Sequence, residues 1–220
     1  MSNQRFPPEI LDYMVDLLRD DPNALEGCCL VSKSWIHRAR KHLFARIRFS
    51  TGEKVQLWEK MFPDPSSSPA YHTHTLSIVC SSEIAATGRG AGEWIKAFSR
   101  VVNLCVASPG SHVDPVASFD LLHGFSPVVK SLHANLSAVE PSRVFDLILS
   151  SPLLEDLTVM THSKLSVGGE MSTAVQPLNP PVFTGSLEVY MEGGMGPIAR
   201  RLLSLSGGIH FRVLNFGMAP

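Results

Sequence analysis

Apolar residues in the first 45 positions recur at helical spacing. Ile10, Met14 and Leu17 fall at i, i+4 and i+7, and Leu11, Val15 and Leu18 run beside them. Asp12, Asp16 and Arg19 lie outside both stripes. Pro7 and Pro8 suit a helix start, where a missing N–H costs little. Asp20-Asp-Pro-Asn23 stops this helix and opens a second, with Asp21 or Asn23 as its cap. Ala24, Leu25, Cys28 and Cys29 line one face of that second helix. Ser32 or Ser34 caps a third, through Trp35, Ile36, Ala39 and Leu43. Two adjacent stripes on the first helix make a wider apolar face than one small core requires. A unit of about 45 residues is near the lower limit for independent folding. Its surplus apolar face therefore calls for a cover, from the rest of the chain or from another protein.

From residue 70 onward the pattern alternates instead. Short strand-like segments centre on Leu76, Leu104, Leu132, Leu157, Leu187 and Leu214. The intervals of 28, 28, 25, 30 and 27 residues fit leucine-rich-repeat spacing. Alternation sends each Leu and the residue two later to one face. The residues between, Ser77, Cys105, His133, Thr158, Glu188 and Asn215, then point the other way and form a candidate substrate-binding row. That row is polar and carries one charge, so it suggests neither an anionic nor a cationic ligand. Helical candidates lie between strands at Gly92–Ser99, Val116–Phe125, Pro141–Leu149 and Pro197–Leu205. Ser166–Thr184, rich in Gly, Ser and Pro, reads as a loop. No regular Asn ladder is present. No capping helix is readable after the sixth strand, which points to a truncated end or a pairing surface there. The alternative is an ordinary α/β domain whose spacing imitates a repeat.

Charge sharpens the division. The first 50 residues hold eight Lys/Arg and six Asp/Glu, and the other 170 hold 11 and 14. Pro63-Asp-Pro-Ser-Ser-Ser-Pro69 breaks the chain between them. The expected organisation is a helical domain at 1–50, a linker at 51–70 and a repeat domain at 71–220. The expected fold class is α plus α/β: three helices, then a short irregular solenoid with a parallel sheet. The net charge of -1 argues against a nucleic-acid or membrane-surface protein. No apolar run approaches the roughly 20 residues of a membrane span, and no export signal is readable at the start. The four cysteines form no CxxC pair, which suits a reducing compartment.

Phe6-Pro-Pro-Glu-Ile-Leu11 followed by Cys29-Leu-Val-Ser-Lys-Ser-Trp35 resembles an F-box. That motif pairs a Leu-Pro-x-Glu-Ile-Leu opening with a Val-Ser-(Lys/Arg)-x-Trp segment about 20 residues on. The resemblance covers residues 5 to about 49. Phe6 stands where Leu is usual, and Asp20–Asn23 replaces a short acidic-apolar step. The continuation from Arg38 to Phe49 is similar to the F-box-like proteins of mushroom-forming fungi, which often carry irregular leucine-rich repeats. The resemblance implies a non-catalytic adaptor subunit of a Skp–cullin–F-box ubiquitin ligase, in the cytoplasm or nucleus. Its helices dock on the Skp-type adaptor, and through it a cullin; its repeats recruit a protein substrate. By motif position the adaptor-binding residues are Pro7, Pro8, Glu9, Ile10, Leu11, Leu30, Val31 and Trp35. Packing against the repeat domain is the competing role for Leu11, Leu30 and Val31, and burial in the helical core for Trp35.

Other motifs carry less. His37-Arg-Ala-Arg-Lys-His42, continuing to Arg48, holds five Lys/Arg and no acid. It reads as a solvated helix C-terminus ahead of a DNA-reading helix. Gly88-Arg-Gly-Ala-Gly92 lacks a phosphate-loop pattern. His72-x-His74 places two imidazoles on one strand face without a third metal ligand. No nucleophile elbow is present. The expectation is therefore no enzyme, no cofactor and no metal. A leucine-rich scaffold without ligase association is the alternative function, and a small α/β enzyme using the Gly-rich turn a more distant one.

Overall fold

The computed structural model describes residues 7–79, 92–108, 123–125, 127–136, 150–161, 186–191 and 213–217. Three helices come first: α1 (Pro8–Leu17), α2 (Pro22–Val31) and α3 (Lys33–Leu43). Each start has a local cause. Pro8 and Pro22 open α1 and α2, the Asp21 side chain accepts from the Ala24 N–H, and the Ser32 hydroxyl accepts from the Ser34 N–H. Val15, Leu25, Cys28 and Ala39 form their shared core, with Leu18, Cys29, Trp35 and Leu43 packed around it.

The rest is one seven-stranded parallel sheet in chain order, β1 to β7. The strands are β1 (Arg46–Phe49), β2 (Thr75–Val79), β3 (Asn103–Ser108), β4 (Ser131–Leu136), β5 (Asp156–Thr161), β6 (Ser186–Met191) and β7 (Val213–Gly217). Ile47, Leu76, Leu104, Leu132, Leu157, Leu187 and Leu214 pair strand to strand in one register row. Leu76, Leu104, Leu132, Leu157 and Leu187 are buried, as are Ile78, Val106, Ala134 and Val159 two residues later. The buried rows of these strands share one face of the sheet.

Backbone bonds repeat with the strands. The Ala45 carbonyl accepts from the N–H groups of both His74 and Thr75. The His74 carbonyl accepts from Val102 and Asn103, the Val102 carbonyl from Lys130 and Ser131, and the Lys130 carbonyl from Glu155 and Asp156. One carbonyl thus accepts both N–H groups at the entry of the next strand.

Two boundaries differ from the sequence expectation. Residues 46–49 belong to the sheet, not to the helical module. The expected linker contains a helix, α4 (Gly52–Met61), and a 3-10 turn at Pro69–His72. The helix expected at Gly92–Ser99 is present as α5 (Gly92–Lys96), continued by turns. Of the candidate at 116–125, His123–Phe125 are helical and the remainder lies outside the described residues. The expected helices at 141–149 and 197–205, the expected loop at 166–184 and residues 88–91 also lie outside them.

An aromatic cluster joins α4 to the buried side of the sheet. Phe49 of β1 meets Trp58 at 5.8 Å, Trp94 at 5.7 Å and Phe98 at 6.0 Å between ring centroids. Trp58 also stacks at a tilt on Phe62 and Phe98, at 4.7 and 5.6 Å. Trp94 extends the cluster to Phe125 at 6.5 Å. No helix among the described residues is long and apolar enough to cross a membrane.

Candidate functional site: exposed helix faces and an open sheet row

The two stripes of α1 separate cleanly. Val15 is buried, Leu18 packs on the helical core and Leu11 is half-buried. Ile10, Met14 and Leu17 are exposed, together with Tyr13; Leu17 leaves 66% of its surface in solvent. The end of α2 does the same. Leu25 and Cys28 face inward, whereas Leu30 is 90% and Val31 72% exposed. Large apolar side chains this exposed on elements that already own a complete core are available for another surface.

The sequence-predicted docking residues thus fall into two groups. Pro7, Pro8, Glu9, Ile10, Leu30 and Val31 are exposed. Leu11 is half-buried, and Trp35 turns at least part of its ring into the helical core. Tyr13, Met14 and Leu17 join the exposed group; for Met14 and Leu17 the first stripe was the signal. Among the described residues, none of the sheet covers Leu30 or Val31.

Asp16 fixes the orientation of α1 on α3. Arg38 Nε donates to Asp16 Oδ1 at 2.6 Å, and an Arg38 terminal nitrogen donates to Asp16 Oδ2. His42 Nε2 sits 2.7 Å from Asp16 Oδ1. The Arg38 and His42 bonds hold the Asp16 carboxyl well below its ordinary 3.8. A lowered carboxyl contributes its stabilisation in full above the unfolded-chain value and loses it as pH falls further. The pair is partly exposed, so Asp16→Asn is expected to cost about 1 kcal/mol or less. Thermal melts from pH 7 to 3 should show the wild type losing midpoint below about pH 4. The variant should start lower and lose less over that range. Parallel curves would remove Asp16 from this role.

The expected polar row of the sheet is in register. Arg48, Ser77, Cys105, His133, Thr158, Glu188 and Asn215 pair successively across all seven strands. Ser77, Cys105, His133, Thr158 and Glu188 are half-exposed, and Arg48 is exposed. Arg48, absent from the sequence-based row, adds a second charge at the β1 end. Neighbouring rungs lie about 4.8 Å apart, so the row spans roughly 29 Å. Beside it, Asp156 Oδ1 accepts from the Ser186 N–H at 2.8 Å and its hydroxyl at 3.0 Å.

His72 and His74 do not share a strand face. His72 is buried in the 3-10 turn and His74 is exposed before β2. Among the described residues no three His, Cys, Asp or Glu side chains converge as a metal site. Cys28, Cys29 and Cys105 are free thiols. The chain matches no protein-family model, no curated protein and no solved structure.

Proposed function

We propose that this chain is a non-catalytic, substrate-recruiting subunit of a Skp–cullin–F-box ubiquitin ligase. The observation that carries the reading is the exposure of Ile10, Met14, Leu17, Leu30 and Val31 on helices whose own core is complete. Ile10, Leu30 and Val31 sit at the positions where the F-box resemblance locates adaptor contacts, and Met14 and Leu17 extend the same α1 stripe. In this reading α1 and α2 dock on a Skp-type adaptor, and the polar row of the sheet offers a surface of repeating rungs to a protein substrate. Each anchor fully buried on docking would contribute about 1.5–3 kcal/mol before association costs. The test is co-purification of a Skp-type adaptor with the full chain and with a Met14→Asp/Leu30→Asp variant. Binding by the wild type alone supports the reading. Undiminished binding by the variant, or none by either chain, overturns it and leaves a scaffold without ligase association.

A further inference from the structure

The basic run on α3 divides by helical periodicity. Arg38 and His42, four apart, turn to Asp16 of α1. His37 and Lys41 occupy the neighbouring face, where α3 packs on the Pro69–His72 turn. There the His37 ring meets the His72 ring edge-on, with centroids 5.8 Å apart. His74 follows two residues later. Its carbonyl oxygen accepts from the N–H groups of Val102 and Asn103 at 3.0 and 2.9 Å, which brings Arg100 into the same neighbourhood. Tyr71 lies against His72, centroids 3.9 Å apart, and keeps part of its surface in solvent.

Backbone packing thus brings α3, the turn, the approach to β2 and the approach to β3 together, each of them carrying a basic residue. Two carboxylates of the helical module are already engaged, Asp16 by Arg38 and His42, and Asp20 by Arg19 and Arg46. Among the described residues, His37, Lys41, His74 and Arg100 have neither an ion pair nor a side-chain hydrogen bond. His72 feels the consequence. Burial first, and then the positive charge of His37, Lys41, Arg100 and His74, push its titration below the ordinary 6.5. Like charges with no ion-pair partner among the described residues repel one another, and an anion placed among them relieves that repulsion.

We propose that this junction binds a single phosphate-type oxyanion, either free or carried as a phosphomonoester. The donor set favours that ligand over other anions. Lys41 and Arg100 bring several N–H donors, and phosphate offers enough acceptor oxygens to use them together with the imidazoles. A lone carboxylate would leave most of these donors idle. A nucleic-acid backbone presents a run of successive phosphates, whereas this patch is compact and suits one. The proposal does not depend on the ubiquitin-ligase reading.

The test follows the histidine ring resonances of the full chain by NMR at constant ionic strength. The probes are inorganic phosphate, a short phosphoserine peptide, the same peptide unphosphorylated, a glutamate peptide and a short DNA duplex. Sodium chloride serves as the baseline. Either phosphate probe should move the His37, His72 and His74 signals saturably and raise the His72 titration midpoint, because an added negative charge favours the imidazolium. Tighter binding of the phosphopeptide than of free phosphate assigns the group to a polypeptide; the reverse assigns it to a free ligand. Lys41→Ala/Arg100→Ala should weaken binding at least roughly tenfold, the loss expected from one charge-assisted hydrogen bond. Arg40→Ala removes an exposed charge from the same helix and should leave binding unchanged. Both Lys41 and Arg100 are exposed, so the double variant keeps its fold. Shifts no larger than those of chloride, shifts undiminished in the double variant, or a response to the glutamate peptide or DNA alone would overturn the site.

Discussion

Phe98→Ala is expected to destabilise the chain by about 3–5 kcal/mol, a large part of the 5–15 kcal/mol that holds a typical domain. Phe98 is 1% exposed and touches Phe49 of β1, Trp58 of α4 and Trp94 of α5. Truncation removes a whole ring's burial and three aromatic contacts at once, each worth about 0.5–1.5 kcal/mol beyond area. Three elements lose their common neighbour, so the cavity cannot be closed by moving one of them. The matched control is Leu57→Ala on the outer face of α4, where more than half the side chain is already in solvent. That change should stay within about 0.5 kcal/mol. Urea unfolding of both variants measures the difference. A Phe98→Ala loss under 1 kcal/mol would mean the cluster does not clamp α4 to the sheet.

The second large effect is on binding. On the proposed ubiquitin-ligase reading, Met14→Asp/Leu30→Asp should cut affinity for a Skp-type adaptor at least roughly 100-fold, because two anchors of about 1.5–3 kcal/mol each are lost and two carboxylates must be desolvated instead. The melting midpoint should hardly change, since both positions are solvent-exposed in the free chain. Leu25→Asp, one turn and a half before Leu30 on the same helix, gives the opposite signature. Leu25 is buried beside Val15 and Cys28, so a carboxylate there should unfold the helical module. Affinity lost with stability intact at Met14 and Leu30, and both lost at Leu25, separates docking from internal packing. Matching losses of stability in the two variants would instead place Met14 and Leu30 in the protein's own core.

Much of this architecture is legible in the residues. The six leucines at 76, 104, 132, 157, 187 and 214 pair as aligned; the first five are buried with exposed or half-buried neighbours on either side, and a slip of one residue would turn those five to solvent. The same alternation located Ser77, Cys105, His133, Thr158 and Glu188 on the open face. The double stripe on α1 announced a surplus apolar face before any contact was known. β1 was hidden because Arg46-Ile-Arg-Phe49 has no leucine and lies in the charged N-terminal segment; only the 29-residue step from Ile47 to Leu76 betrays it. α4 was hidden because its apolar face is short, Val55 and Trp58, and the Pro63–Pro69 break draws attention first. The meeting of α3 with the His72 turn is a tertiary event between residues such as His37 and His72, 35 positions apart, so spacing within either segment could not show it.

The Ala45 carbonyl, which accepts from both His74 and Thr75, has a consequence for anyone dividing this protein. Only Phe44 and Ala45 separate α3 from β1. The helical module is thus spliced into the first rung of the sheet, and there is no slack at the joint. A chain beginning at residue 51 would lose more than a detachable headpiece. It would uncover the hydrogen-bonding edge of β2 and strip Phe49 from the aromatic cluster, inviting strand-to-strand self-association. Amputation there and silencing of the helix faces are different experiments, and point changes on α1 and α2 are the ones that leave β1 paired on β2.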